Sequence, residues 1–246
     1  MKRLFAFGCS FTNYVWPTWA DILGKSFDHY ENWGQSGAGN LFIAASVSEA
    51  HARRQITEND TVIIMWTNVA REDRYVNGWV TPGNIHTQSI YDDNFIRNHV
   101  TDRGCYVRDF AVMNLTKKLL DGIGCKYIML SMVDMNNPRQ YEHSPNDSVT
   151  DVFDVYHELV NVIRPSVHKT IFNYDWFGRS PNNKYFGVKG FKKRDPHPTP
   201  LEHLEYIDIV MPELDISPNT RDWLNKYNDS MELKKYFNQT KIMDRF

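Results

Sequence analysis

The sequence predicts an α/β fold, a three-layer sandwich in which helices cover both faces of a central parallel sheet and long loops lie at its carboxyl edge. Short apolar runs alternate with segments of helical periodicity along most of the chain, the pattern of strands joined by crossover helices. The segment Thr61–Trp66 is an almost continuous apolar run, as expected for a strand buried on both faces. Both observations favour a parallel sheet over one with a solvent-facing side.

The composition is that of one large soluble domain. The chain has 246 residues, of which 41% are hydrophobic and 24% charged, so a substantial core can be buried. We expect an α/β domain over residues 1–211 and an appended polar, helical tail over residues 212–246. The formal net charge of -2 gives no general attraction to nucleic acid or to an anionic membrane.

The sequence also constrains location and redox state. No apolar stretch reaches about 18 residues, so no membrane span is expected. The N-terminus lacks a signal-peptide pattern, which predicts a cytoplasmic protein. The three cysteines, Cys9, Cys105 and Cys125, are odd in number, far apart and without metal-ligand spacing. We therefore expect neither a disulfide framework nor a metal site.

The first part of the chain is expected to supply three strands and two helices. Arg3–Phe7 is apolar and aromatic-rich without a helical stripe, which indicates a short buried strand. Pro17 suits the entrance of the first helix. The remaining predicted elements are the strands Phe27–Trp33 and Thr61–Trp66 and the helices Thr18–Leu23 and Leu41–Arg54.

The rest of the chain combines long loops with further strands and helices. Residues 69–104 show little periodicity, and we interpret them as a substrate-side insertion. The predicted helices are Asp93–His99, Tyr106–Leu120, Asp151–Ile163 and a helix that follows Asp195–His203 and runs to about Met211. The predicted strands are Tyr127–Met132 and, as a short last strand, Thr170–Tyr174.

Ser10 occupies the point where the first strand meets a turn. Gly8 permits a sharp exit from the strand, and a serine held on such a turn can present its hydroxyl above the sheet edge. The alternative is that Ser10 or Thr12 only caps the next helix.

Two later turns place further polar groups after strands. The turn from Gly34 to Asn40 contains Gly37, whose backbone N–H could bind a developing oxyanion; the alternative is a plain helix-entry turn. Its G-x-x-G-x-G spacing is the reverse of the dinucleotide fingerprint, so no cofactor is expected. Asn68 places an amide after the strand Thr61–Trp66, or is an ordinary turn residue.

An Asp-x-His pair completes a set of groups suited to acyl transfer. Because the carboxyl ends of parallel strands share one edge, residues distant in sequence can meet there. Ser10 would be the nucleophile, His197 the general base, and Asp195 the residue that orients His197. The N–H groups of Ser10 and Gly37 and the amide of Asn68 would form the oxyanion hole.

The sequence resembles the SGNH hydrolase family, also called GDSL-like esterases, whose fold is a flavodoxin-like three-layer sandwich. The similar blocks are Gly8-Cys9-Ser10-Phe11-Thr12, Ser36-Gly37, Trp66-Thr67-Asn68 and Asp195-Pro196-His197-Pro198, so the resemblance spans roughly residues 3–211. Trp66 replaces a glycine of the family pattern, and Val69 replaces an acidic residue. Asp195 precedes His197 by two positions where three is commoner, and His203 resembles a second histidine that packs in the helix.

The resemblance implies a serine esterase. Aromatic residues in the loops, Trp16, Trp79, Trp176 and Tyr185, could stack on sugar rings and favour carbohydrate O-acetyl esters; plain packing is the alternative. Arg71, Trp79 and Trp176 are the candidate substrate-binding residues. The blocks also look similar to those of SGNH-like proteins of tailed phages and marine bacteria, so a virion-associated or oligomeric protein is a further expectation. The rival hypothesis is a non-catalytic SGNH-fold protein that binds glycan or has a structural role.

Overall fold

The computed structural model describes residues 1–87, 90–135, 148–174, 197–230, 242 and 244–246, with side chains except at 229 and 230. Its central parallel sheet is flanked by helices, so the predicted α/β class is confirmed. Three residues singled out from the sequence, Trp176, Tyr185 and Asp195, lie outside the described residues.

The central sheet contains four parallel strands in the order β2-β1-β3-β6. These strands are β1 (Arg3–Phe7), β2 (His29–Asn32), β3 (Thr61–Trp66) and β6 (Lys126–Ser131). The predicted strand bounds are confirmed for β1 and β3, and β3 is buried along almost its whole length. The two strands of the 69–104 insertion, β4 (Arg74–Tyr75) and β5 (Trp79–Val80), pair antiparallel in a separate hairpin that the sequence analysis did not predict.

Two groups of helices pack together around the sheet. One group holds α1 (Trp19–Gly24), α7 (Val167–Thr170), α8 (Pro200–Val210) and α9 (Pro218–Ser230). The other holds α2 (Asn40–Arg54), α4 (Asp102–Ile123), α5 (Thr150–Val155) and α6 (His157–Val162). The short helix α3 (Asp93–His99) lies in the insertion, as predicted. Across the described residues, no helix combines the length and the apolar character that a membrane crossing requires.

The strand order places the end of β1 at a topological switch point. From β1 the chain passes through α1 to β2 on one side, then through α2 to β3 on the other side of β1. Right-handed crossovers in opposite directions put the two helices on opposite faces. Open α/β sheets bind ligands beyond such a switch point, and Ser10 lies three residues after the end of β1.

The prediction of a strand over Thr170–Tyr174 was wrong. The helix α7 occupies the start of this segment, where Ser166 caps it by accepting a hydrogen bond from Lys169 N–H at 3.1 Å. Asn173 and Tyr174 then adopt left-handed backbone angles, φ 46° and 63°, which are incompatible with a strand. Among the described residues, the sheet continues beyond β6 through an isolated parallel bridge between Met129 and Ile163.

The predicted helix Asp151–Ile163 is present as two shorter helices. The break between α5 and α6 falls at Tyr156, whose backbone is non-helical, and α6 ends before Pro165 as predicted. The helix predicted as Tyr106–Leu120 starts earlier, at Asp102, because Thr101 caps it through Gly104 N–H at 3.0 Å.

Residues after position 211 also contact the α/β layers. Leu224, on α9, is fully buried in the core, and α9 packs on α8. Near the end of the sequence, Arg245 donates to the carbonyl of Trp33 at 3.2 Å and to the amide oxygen of Gln35. Its guanidinium lies 4.7 Å from the ring centroid of Phe42, a cation–π contact.

Candidate active site

Ser10 lies on a tight turn at the carboxyl end of β1. The carbonyl of Cys9 accepts hydrogen bonds from Thr12 N–H at 2.9 Å and from Asn13 N–H at 3.1 Å, which closes the turn around the serine. A side chain at Gly8 would meet Thr12 Oγ1 at 2.1 Å, so only glycine fits at this exit. The turn therefore holds Ser10 at one position, with 6% of its surface exposed.

His197 meets Ser10 across 187 positions of sequence. Its Nε2 lies 2.8 Å from Ser10 Oγ, so the two side chains form a hydrogen bond. His197 lies two residues before the capping box of α8, in which Thr199 and Glu202 bond each other's backbone. When Nε2 is unprotonated, the imidazole can take the hydroxyl proton of Ser10 and so activate the oxygen as a nucleophile.

Two aromatic residues that the sequence analysis did not assign to the site, Phe11 and Tyr14, pack against the imidazole. The Tyr14 ring stacks on His197 with centroids 3.9 Å apart and planes at 16°, and Phe11 meets it edge-on at 5.3 Å. Trp16 donates its indole N–H to the carbonyl of Pro198 at 2.8 Å. The clustering of Phe11, Tyr14 and Trp16 just after the serine was the available sequence signal.

The glycine turn after β2 lies directly against the Ser10 turn. Gln35 N–H donates to the carbonyl of Gly8 at 3.0 Å, and Asn13 Nδ2 donates to the carbonyl of Gly34 at 3.0 Å. Gly37 has φ 77°, and a Cβ there would lie 2.1 Å from the carbonyl oxygen of Thr81. Both its backbone angle and its surroundings thus require glycine.

Asn68 lies two residues beyond β3, beside the end of β1. Its Oδ1 accepts a hydrogen bond from Ala70 N–H at 2.6 Å, which fixes the amide oxygen and leaves Nδ2 as the free end. Within the described part of the chain, Asn68 Nδ2 and the N–H groups of Ser10 and Gly37 have no protein acceptor. These are the three donors that the sequence assigned to an oxyanion.

Asn40, which the sequence analysis placed only at the end of the glycine turn, holds the segment before Asn68. Its Oδ1 accepts from Thr67 N–H at 2.8 Å, and its Nδ2 donates to the Thr67 carbonyl at 3.0 Å. The same Nδ2 donates to Asp109 at 2.7 Å. Burial raises the pKa of Asp109 to about 7, although hydrogen bonds from Arg108 and Asn40 act in the opposite direction.

The remaining candidate substrate residues lie in the insertion. Arg71 donates from Nη1 to the carbonyl of Ala38 at 2.8 Å. Trp79 is half-buried, and its ring packs edge-on against Phe42 and Tyr75 at 5.3 and 5.7 Å. Trp16 is fully buried, so its ring is not an open platform for a sugar. Stacking of a sugar on Trp79 stays a prediction, and Trp176 lies outside the described residues.

The thiols are not arranged for catalysis or metal binding in the described part of the chain. Cys9, Cys105 and Cys125 are buried and free. Burial raises the pKa of Cys105 and of Cys125 to about 11, which disfavours the thiolate. Among the described residues, no group of three His, Cys, Asp or Glu side chains could hold a metal ion.

Similarity to known proteins is found among solved structures. No protein-family model matches the chain, and no curated protein matches it. The chain is similar to a member of the lipolytic protein G-D-S-L family from Veillonella parvula DSM 2008, with 15% sequence identity and a TM-score of 0.38. This match covers 73% of the present chain and 85% of the other.

Proposed function

We propose that this protein is a serine esterase that hydrolyses carboxylic esters, with O-acetyl esters as the first class to test. The observation that carries the proposal is the hydrogen bond between His197 Nε2 and Ser10 Oγ at 2.8 Å. The unbonded donors on Ser10, Gly37 and Asn68 at the same sheet edge, in the described part of the chain, support it further. The resemblance of the sequence blocks to SGNH hydrolases implies the same chemistry.

The proposed reaction has two steps. Ser10 Oγ attacks the ester carbonyl carbon while His197 Nε2 takes its proton, and the carbonyl oxygen becomes an oxyanion bound by the three donors. Collapse of this intermediate breaks the bond to the alcohol, which receives the proton from His197 and leaves the acyl group on Ser10. Water then attacks the acyl-serine with His197 again as base, which releases the acid and restores Ser10.

Labelling with a fluorophosphonate probe tests the proposal directly. The probe should form a covalent bond to Ser10, identified by mass spectrometry of the peptide, because an activated serine attacks phosphorus as it attacks an ester carbonyl. Ser10→Ala should abolish labelling. Ser36→Ala is the matched control, since Ser36 is an exposed serine on the neighbouring glycine turn and is not part of the proposed catalytic pair. This variant should be labelled like the wild-type protein.

Two results would contradict the proposal. Labelling that persists in Ser10→Ala, at Cys9 or elsewhere, would assign the nucleophile to another residue. A folded wild-type protein that is not labelled and does not hydrolyse 4-nitrophenyl acetate would favour the non-catalytic glycan-binding or structural protein.

Asn68→Ala is expected to lower kcat by about 10²- to 10³-fold with little change in KM. The amide would contact charge that is present only in the tetrahedral state, so its loss should raise the barrier without weakening substrate binding. The measurement is steady-state hydrolysis of 4-nitrophenyl acetate, with circular dichroism to confirm folding.

Asn68→Asp provides a sharper comparison at this position. The carboxylate keeps the acceptor for Ala70 N–H but removes the amide donor and adds negative charge beside the oxyanion. This variant should be at least as impaired as Asn68→Ala. A folded Asn68→Ala protein with unchanged kcat would show that Asn68 is an ordinary turn residue and not an oxyanion donor.

A further inference from the structure

Arg71 has fewer strong acceptors than its charge requires. A guanidinium carries five N–H donors, and those of Arg71 reach one carbonyl, of Ala38 at 2.8 Å, and one thioether, Met132 Sδ at 3.6 Å. Its Nε is buried without a hydrogen-bond partner, and among the described residues no carboxylate forms an ion pair with it. Thioether sulfur is a weak acceptor, so most of the donor capacity of this half-buried cation is unused.

Arg108 provides an internal comparison from the same region of the fold. This arginine is also half-buried, but it pairs with the carboxylates of Glu72 and Asp109 and donates to the carbonyls of Val69 and Arg71. Buried charges in proteins are normally paired in this way, because an unpaired charge loses its hydration without compensation. Among the described residues, no carboxylate contacts Arg71 in this way. The Asp73 carboxylate accepts from Gly39 N–H and Phe42 N–H and acts on Arg71 only at longer range.

The contacts of Arg71 place it at the candidate active site. Ala38 follows Gly37, one of the three proposed oxyanion donors. Met132 Sδ, which accepts from Arg71, also accepts from Cys9 Sγ at 3.8 Å and from Thr67 Oγ1 at 3.6 Å. Cys9 and Thr67 directly precede the other two, Ser10 and Asn68. Met132 Sδ therefore connects the Arg71 guanidinium to both turns that carry these donors.

We propose that the Ser10 site takes esters that carry a second, negatively charged group, and that Arg71 pairs with this anion. A carboxylate, sulfate or phosphate oxygen would supply the acceptors that Arg71 lacks, and a guanidinium binds such planar or tetrahedral anions through two parallel hydrogen bonds. The inference rests on the proposed esterase function and names its substrate class. Arg71 would act on binding, since the anion is present in the free ester as well as in the transition state.

A pair of acetyl esters, one anionic and one neutral, tests the inference; apart from the charge they differ by one methyl group. The probes are 4-acetoxybenzoate, which carries a carboxylate, and its neutral methyl ester; both release acetate. Wild-type enzyme should prefer the anionic ester. Arg71→Met should lower kcat/KM for 4-acetoxybenzoate by about 10- to 100-fold, mainly through KM, the usual effect of losing one charged hydrogen bond. Hydrolysis of the methyl ester should change little.

Two further variants test whether the effect depends on the planar guanidinium of Arg71 and on its place in the fold. Arg71→Lys keeps the charge but loses the planar fork, so it should restore part of the activity on the anionic ester. Arg74→Met is the matched control, because Arg74 is an exposed arginine of the same insertion that pairs with Glu72 at 2.6 Å. It should leave the preference between the two esters unchanged.

The outcomes distinguish this inference from the proposed function. Equal losses on both esters in Arg71→Met would mean that Arg71 only holds the glycine turn through Ala38, and a wild-type enzyme without preference for the anionic ester would also overturn the proposal. If neither ester is hydrolysed, the anion site can still be tested by calorimetry, which measures binding of the amide analogue 4-acetamidobenzoate to wild-type protein and to Arg71→Met. Binding that depends on Arg71 would retain the anion site while rejecting the esterase, and absence of binding would reject both.

Discussion

His197→Ala is expected to lower kcat for 4-nitrophenyl acetate by about 10⁶-fold, the size of loss seen when the base of a serine-protease triad is removed. Without the imidazole 2.8 Å from Ser10 Oγ, the hydroxyl has no base to take its proton as it attacks. The variant should also lose fluorophosphonate labelling of Ser10. Circular dichroism must show that the protein remains folded.

Two comparisons give this prediction its specificity. Ser10→Ala should lose about as much as His197→Ala, and the double variant should lose no more than either, because the two residues act as one unit. His203→Ala should stay active while folded, because His203 is buried in α8 and its expected contribution is packing. An inactive His203→Ala beside an active His197→Ala would transfer the role of base to His203.

Asp195→Asn is expected to lower kcat by about 10⁴-fold, by analogy with the same replacement in serine proteases. The carboxylate would hold the imidazole in the tautomer that leaves Nε2 free to accept, and would stabilise the imidazolium that forms. An amide in its place can hold the wrong tautomer. The measurement is again steady-state hydrolysis of 4-nitrophenyl acetate by folded protein.

The contacts of His197 make Asp195→Asn an informative variant. The rings of Tyr14 and Phe11 pack against the imidazole and limit its orientation. Trp16 also holds the backbone beside it by donating to the carbonyl of Pro198. Ring orientation therefore does not depend on a carboxylate alone, whereas tautomer and charge do. Asp208→Asn is the control, since Asp208 is an exposed acid of α8 that pairs with Arg221 at 2.6 Å. Nearly full activity in Asp195→Asn would assign the orienting role to a backbone carbonyl or another acid.

The sequence predicted best those elements whose burial is visible in the residues themselves. Thr61–Trp66 was recognised as a strand because a continuous apolar run fits only a strand covered on both faces. Asp93–His99 was recognised as a helix inside a loop-rich insertion. The helix α8 was expected after Asp195–His203, but it begins within that segment, at Pro200. Local patterns of this kind need no knowledge of distant residues.

The errors arose where caps, turns and very short strands decide the structure. Thr170–Tyr174 has strand-like residues, but Ser166 caps a helix that reaches Thr170, and Asn173 and Tyr174 then adopt left-handed angles. The hairpin of β4 and β5 has two residues in each strand, too few to give a periodic signal. Its partner strand supplies the hydrogen bonds that sequence alone does not reveal.

The sequence by itself determined the chemistry available to this protein: a serine at a strand exit, a glycine turn before a helix, an amide after the central strand and a histidine before a helix. Only the tertiary structure decided that Ser10 and His197 touch, that Tyr14 stacks on the imidazole, and that Arg71 lacks a carboxylate partner among the described residues. The physical reason is that residue type and local turn geometry depend on neighbours in sequence. Contacts such as the one between Ser10 and His197, 187 positions apart, depend instead on the order of strands in the sheet and on the packing of helices against it.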